Sequence, residues 1–292
     1  MSIMLDNKEI TVTGKLIKIA RVKDEWYEEV KDFNTLIKAL DNTNIKADLF
    51  TFWQSLPEIE PRYNYHMEFE NVAAINVISF EHWWAEQIDK KTRNMVRKAK
   101  NEGLSTRVVN FDDEFVKGAT EIYNESPVRL GRLYPHYGDD FDTIKKKIAT
   151  FLDRSDFIGA YYNGELIGYI KQTYVGNCAF IMNIISKVKH FDKSPTNALI
   201  ARAVEVCAEK KVPYLVYGNF VYGKKGEDSL TEFKRHNGFE KVDIPRYYIP
   251  LTAKGKIALK LGIHNSIVEM LPEKLIKFLI KLRAKWYSIR YK

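Results

Sequence analysis

Between Phe157 and Phe239 the hydrophobic period of the chain changes in a fixed order, hairpin, strand, helix, strand, helix, and that order restricts the folds open to it. FIGAYY and ELIGYIKQTYV are β-rich runs joined by Asn163-Gly164, a pair that accepts the positive φ angles of a tight primed turn. A second turn at Gly176-Asn177 leads into CAFIMNIISKV, so three antiparallel strands are expected. The period then becomes 3.6: Leu199, Ile200, Ala203, Val204 and Cys207 share a face that Arg202, Glu205 and Glu209 avoid. Ser194 is expected as the N-cap of this helix, with Pro195 at the first helical position, where a missing N–H costs nothing. PYLVYGNF reads as a short central strand, DSLTEFKRHNGFE as a helix ending at Gly238, and VDIPRYYIPL as the last strand. The expected fold class is α/β (α+β), a mixed, mostly antiparallel sheet flanked by helices.

This succession, over residues 106–252, resembles the GCN5-related N-acetyltransferase (GNAT) superfamily, in which a strand–loop–helix unit holds the pyrophosphate of the acyl donor. The resemblance implies an acetyl-CoA or other acyl-CoA co-substrate. Its donor-binding residues would be Ile185, Ser186, Lys189, Lys193, Ser194, Thr196, Asn197 and Ala198, with backbone N–H groups near Ile184 to Ser186 facing the acyl carbonyl. Lys193 matches the basic position of the family loop and Ala198 the last small one, but Thr196 stands where the first glycine belongs. First-turn N–H groups with Lys189, His190 and Lys193 can make an anion site; the plainer alternative is a solvated Lys193 beside an ordinary helix cap. Lys234 occupies the position where the family often carries a tyrosine general acid, and a lysine serves there only if burial lowers its pKa. Tyr217 and Tyr222 are alternative proton donors.

Upstream, SFEHWWAEQIDKKTRNMVRKAKNEGLSTRVV puts Trp84, Ile88, Met95 and Ala99 on one helical face and Lys90, Arg93, Arg97 and Lys100 on another, with Gly103 closing the helix. A basic helix with Arg-Asn-x-x-Arg-Lys-Ala, then Gly-Leu and a strand, is similar to the Fem peptidyltransferases and related Fem-like acyltransferases, which carry two acetyltransferase-like domains in tandem. Residues 1–105 fit a reduced first copy: a strand at EITVTGKLIKIARV, a helix at DEWYEEVKDFNTLIKAL, and strands at ADLFTFW and YHMEFENVAAINV. The expected domains are therefore 1–105, 106–252 and a basic amphipathic tail, 253–292. The basic face is either a polyanion contact or a solvated helix surface.

The segment from Glu125 to Gly138 is too aromatic and too charged for a plain linker. Arg129, Arg132, Tyr134 and Tyr137 are candidate substrate-binding residues, because arginine forks suit carboxylates and phosphates. Glu125 or His136 is a candidate base for an acceptor amine, and Tyr222 and Lys234 complete the catalytic candidates. The alternative is an internally satisfied loop, with Glu125 paired to Arg129 and the aromatics packed as a lid.

A formal charge of +8 and a pI near 9.1 favour anionic partners without choosing among them. The only cysteines, Cys178 and Cys207, fall on apolar faces, and the six histidines are scattered, so neither a disulfide framework nor a metal site is expected. No run approaches the roughly 20 apolar residues of a spanning helix, and no N-terminal apolar leader is present; a cytoplasmic location is expected. In PEKLIKFLIKLRAKWYSIRYK, Leu275, Leu279, Leu282 and Trp286 form a seam beside Lys274, Lys277, Lys281 and Lys285, the pattern of a peripheral membrane helix or of one docked on its own protein. The function that fits is N-acyl transfer from a thioester donor to an amine acceptor, ranked above transfer from aminoacyl-tRNA. A non-catalytic module binding RNA or anionic membrane is the reading from another class.

Overall fold

A computed structural model describes residues 2–264 except 6, 31, 42, 44, 130 and 223–227, together with Leu282 and Trp286. The first elements are β1 (Ser2–Leu5), β2 (Lys8–Thr13), β3 (Ile19–Val22), α1 (Phe33–Asp41), β4 (Leu49–Trp53), β5 (His66–Asn76) and α2 (Phe80–His82). There follow α3 (Lys90–Asn101), β6 (Ser105–Val109), α4 (Asp113–Tyr123), β7 (Val128–Arg129), β8 (Arg132–Leu133) and α5 (Phe141–Ile148). The chain continues through β9 (Ser155–Tyr162), β10 (Glu165–Val175), β11 (Cys178–Ser186), α6 (Pro195–Glu209), β12 (Tyr214–Val216), α7 (Ser229–His236), β13 (Glu240–Pro250) and α8 (Ala253–Lys260). Two compact units result, Met1–Val72 with Val242–Pro272, and Ala73–Lys241 with Glu273–Lys292. Each unit is therefore built from two separate stretches of chain.

In the first unit β1, β2 and β3 form antiparallel neighbours, β3 runs parallel to β4, and β13 pairs antiparallel with β4. The run from Glu9 to Val22, expected as one strand, is two. Gly14 turns it at φ +97°, and a Cβ there would lie 2.0 Å from the Ile17 carbonyl oxygen. The helix expected from Asp24 begins only at Phe33, where the Asp32 carboxylate accepts from the Asn34 amide at 2.9 Å and the Thr35 hydroxyl at 2.6 Å. Leu36, Phe50, Phe52 and Tyr247 fill the core. Tyr247 donates its hydroxyl to Gln54 Oε1 at 2.5 Å and accepts from the Arg62 amide at 2.9 Å.

Arg246 is buried beside this core, with Nε 2.5 Å from Glu70 and a terminal nitrogen 3.0 Å from Glu25. Burial opposes its charge, but the two carboxylates outweigh that penalty and hold it ionised. Arg246→Ala would remove the buried cation that Glu25 and Glu70 share, with an expected loss of about 3–5 kcal/mol of stability, read from urea unfolding.

The second unit is built on neighbours β6, β9, β10, β11 and β12, antiparallel except that β12 runs parallel to β11 and is followed by the end of β5. The expected hairpin turn is present, with Asn163 at φ 49° and Gly164 at φ 81°. Alternation along β9 sends Phe157 to a layer with α4 and α5, and Ile158 and Ala160 to a layer with α3 and α6. Leu199, Ile200, Ala203, Val204 and Cys207 are all buried, as their spacing predicts.

The basic helix departs from the continuous one expected. A short α-turn passes into a π-turn at Trp83–Gln87, and a fresh helix starts at Lys90 because the Asp89 carboxylate accepts from the Thr92 amide at 2.6 Å. Arg93 reaches back and donates to the carbonyls of Trp84, Ala85 and Ile88, each at 2.9 Å. Its charge therefore closes a helix end rather than facing outward. The amphipathic pattern expected over 273–292 lies outside the described residues, apart from Leu282 and Trp286. Among the described residues no helix is long and apolar enough to cross a membrane.

Candidate functional site

β11 and β12 pair only from Cys178↔Tyr214 to Phe180↔Val216. Beyond that point β11 continues to Ser186 with β10 as its partner, whereas Tyr217 and Gly218 exchange hydrogen bonds with Ala73 at 2.8 Å. The two strands thus part company. β11 is fully buried from Cys178 to Ile181 and half-buried from Met182 to Ile185, where β12 no longer covers it.

α6 begins beside the far end of β11. Ser194, expected as a side-chain cap, instead adopts a left-handed conformation (φ 52°, ψ 43°) and makes no side-chain cap bond. The first intrahelical bond runs from the Ala198 amide to the Ser194 carbonyl, so the Thr196 and Asn197 N–H groups have no helical acceptor. The Thr196 hydroxyl lies 3.1 Å from that of Ser186, bridging the helix start to β11. Asn197 donates to Asn237 Oδ1 at 3.1 Å, and the Asn237 carbonyl accepts from Trp83 Nε1 at 3.0 Å. Gly238 follows at φ +84°, where a Cβ would come within 2.9 Å of Trp83 Nε1. Ala198 is buried under the first turn.

The cations expected to bind a diphosphate are occupied. Lys187, which sequence reasoning passed over, reaches Glu165 at 2.5 Å and Glu121 at 2.9 Å; burial works against its charge, but these hydrogen bonds prevail and raise its pKa. Hydrogen bonds from Lys187 and Lys189 hold the Glu165 carboxyl down to about 2, and His190 lies 3.5 Å from the same group. Lys193 pairs with Glu102 at 3.2 Å. Glu125, a candidate base, accepts from the Val188 amide at 2.5 Å and the Lys189 amide at 2.9 Å, which puts a carboxylate on the loop's own N–H groups.

Lys234 is completely buried in α7, just before Asn237. Its ammonium donates to the Asn219 carbonyl at 2.5 Å and lies 4.5 Å and 4.7 Å from the ring centroids of Tyr217 and Tyr222. Burial pushes its pKa down to about 8, against a smaller opposing pull from Asp228. Burial raises both tyrosines instead, so of the three proton donors Lys234 is the one matched to neutral pH. Tyr222 is 42% exposed, so one of the two rings against the Lys234 ammonium belongs to a solvent-accessible residue.

The segment from Glu125 to Gly138 is largely satisfied from within. Arg129 pairs with Glu125 at 3.5 Å, donates to the Ile122 carbonyl at 3.0 Å and to the Ser186 carbonyl, and stacks over Tyr134. Tyr134 and His136 pack against Tyr123, whose hydroxyl is 2.6 Å from that of Tyr169. His136 is held by Asp139 at 3.3 Å and Lys147 at 3.2 Å. Arg132 and Tyr137 are exposed on the short β7–β8 hairpin and its return. Ile185 faces the α4 and α5 layer.

No protein-family model matches the sequence, and no curated protein matches it. Solved structures do. FemX superposes with a TM-score of 0.57 at 10% identity over 82% of this chain and 83% of its own. The fold is Fem-like. The C-terminal DUF2156 domain of a protein from Agrobacterium fabrum assigned as a lysylphosphatidylglycerol synthetase gives a TM-score of 0.58 at 13% identity, covering 89% of this chain and 86% of that one. L-PGS from Bacillus licheniformis gives 0.56 at 15% identity, covering 89% and 87%. The α/β class with a mostly antiparallel sheet agrees with the sequence reading.

Within this Fem-like fold, Lys234 binds fewer protons when folded than when unfolded between about pH 8 and its ordinary 10.5. Its burial penalty is therefore fully present below about pH 8 and relieved as pH rises through that window, so stability should climb with pH there. Lys171, also buried and pushed down to about 8, adds to the climb. In Lys234→Met the gain in urea midpoint across the window should shrink; an undiminished gain would show that this amine is solvated.

Proposed function

We propose that the second unit is an acyltransferase that moves an activated acyl group, best read as an ester-linked aminoacyl group, onto an amine. The observation that carries this reading is the opening between β11 and β12 with a buried ammonium of lowered pKa on one side and, on the other, helix N–H groups that have no acceptor within the helix. Backbone amides there can polarise a carbonyl, and Lys234 can deliver a proton to the departing oxygen. The amine then attacks the carbonyl carbon, the carbon–oxygen ester bond breaks, the leaving alkoxide takes the proton from Lys234, and the proton shed by the attacking nitrogen passes to solvent, from which Lys234 is recharged.

The ester donor is preferred to the acyl-CoA thioester because the loop's cations already face Glu102, Glu121 and Glu165, and its N–H groups face Glu125. A diphosphate entering there would displace internal carboxylates. α3, by contrast, contains six cations and no acid. Its Lys90, Lys91, Arg97 and Lys100 are exposed without an ion pair among the described residues, a surface suited to the phosphates of a tRNA. Two of the similar structures are of the kind named for making lysylphosphatidylglycerol or as L-PGS, which agrees with aminoacyl chemistry.

Binding of aminoacyl-tRNA should be saturable and fall steeply with salt, while coenzyme A should not bind in the micromolar range. Saturable micromolar coenzyme A with no tRNA binding would reverse the donor assignment. Lys234→Met should lower the rate of aminoacyl transfer by roughly 10²–10⁴-fold with little change in KM for the donor, measured by transfer of a labelled amino acid. An unaltered rate would remove Lys234 from the chemistry.

A further inference from the structure

In the first unit His66 and Glu68 stand two residues apart on β5, so their side chains leave the same face of the strand. His264, 196 residues away and just beyond α8, reaches them: its Nε2 is 2.7 Å from Glu68 Oε1. His66 Nε2 approaches the same oxygen at 3.4 Å. The three donor atoms lie within 4.8 Å of one another. Sequence spacing could not announce this cluster, because His-x-Glu on a strand is short of a ligand set until the distant histidine folds onto it.

We infer that His66, Glu68 and His264 form a binding site for a borderline divalent transition metal, with Zn²⁺ as the reference ion. Two imidazoles and a carboxylate are a donor set that zinc-class ions favour and that Mg²⁺ and Ca²⁺, which prefer all-oxygen shells, do not. A tetrahedral ion with bonds of about 2.0–2.1 Å sets its ligand atoms roughly 3.3–3.4 Å apart. The His66–Glu68 separation of 3.4 Å already meets that spacing. The closer His264–Glu68 pair has to open by a fraction of an ångström, and the two imidazoles, whose donor atoms lie within 4.8 Å, have to close towards the same spacing, a movement open to the exposed His66 side chain.

Burial around the site is graded. The His264 side chain is 1% exposed, whereas those of His66 and Glu68 are 43% and 36% exposed. An ion would thus be anchored on a fixed, buried imidazole and approached through the solvent side, leaving a position for water. The Tyr248 ring, 4.7 Å from His264 and 6.1 Å from His66, packs against both imidazoles and limits their rotation. The ion would clip the segment after α8 to β5.

The test uses the full chain without a polyhistidine tag. Zn²⁺ affinity is measured by competition with a chromophoric chelator, Co²⁺ binding by its visible absorption, and folding by circular dichroism. One equivalent of metal is expected, with a rise in thermal midpoint that EDTA reverses. His264→Ala and His66→Ala should each weaken binding at least tenfold. His66 is exposed, so His66→Ala tests the site even where His264→Ala unfolds the unit. Absence of stoichiometric binding in the parent chain, or affinity unchanged in folded His66→Ala, would overturn the inference.

Discussion

A parallel strand pair held by three residue couples is a weak seam, and in the second unit the candidate acyl-transfer groups gather where that seam ends. β12 is short, and its continuation turns to Ala73 for hydrogen bonds, so β11 runs on with one edge lacking a strand partner among the described residues. Backbone groups left on such an edge require acceptors and donors from elsewhere. The helix start at Pro195 is tied to the end of β11 through the Thr196–Ser186 hydroxyl bridge.

Charge compensation then decides what kind of ligand the opening suits. Carboxylates from α4, from the start of β10 and from the end of α3 neutralise the lysines of the loop. Lys234 is the exception: it is buried with a carbonyl and two aromatic faces for company and no carboxylate within ion-pairing distance among the described residues. A proton on that amine is held loosely, which is useful for transfer and unhelpful for anchoring a polyphosphate. The two features are complementary, since the loop's positive charge is neutralised internally while that of Lys234 is not.

Much of the second unit was legible in the sequence because its signals are local. Asn163-Gly164 specifies a turn, the 3.6-residue spacing from Leu199 to Cys207 specifies the buried face of α6, and Gly238 closes α7 as expected. Lys234 could be singled out by its position before Phe239, but its environment could not, since Asn219, Tyr217 and Tyr222 meet it only after folding. The first unit was harder. Gly14 hid a hairpin inside a continuous β-rich run, and Asp24 to Val30 carry helical residues without a cap until Asp32. Asp89 was the signal overlooked in the basic stretch, an ordinary capping residue masked by the apolar pattern on either side of it. The loop at Glu125 to Gly138 shows the opposite limit: its residues were evident, yet whether they served a ligand or one another depended on distances that composition does not contain.

Trp83, Asn197 and Asn237 come from three separate stretches and meet through two hydrogen bonds. The indole thereby braces the C-terminal end of α7, which in turn braces the opening turn of α6. Orientation of the amides at the mouth is inherited from an aromatic ring more than a hundred positions earlier in the chain. Substitutions that disturb this mouth should consequently look dispersed when plotted along the sequence and convergent when plotted in space, with the tryptophan behaving as the keystone of an arch it never spans.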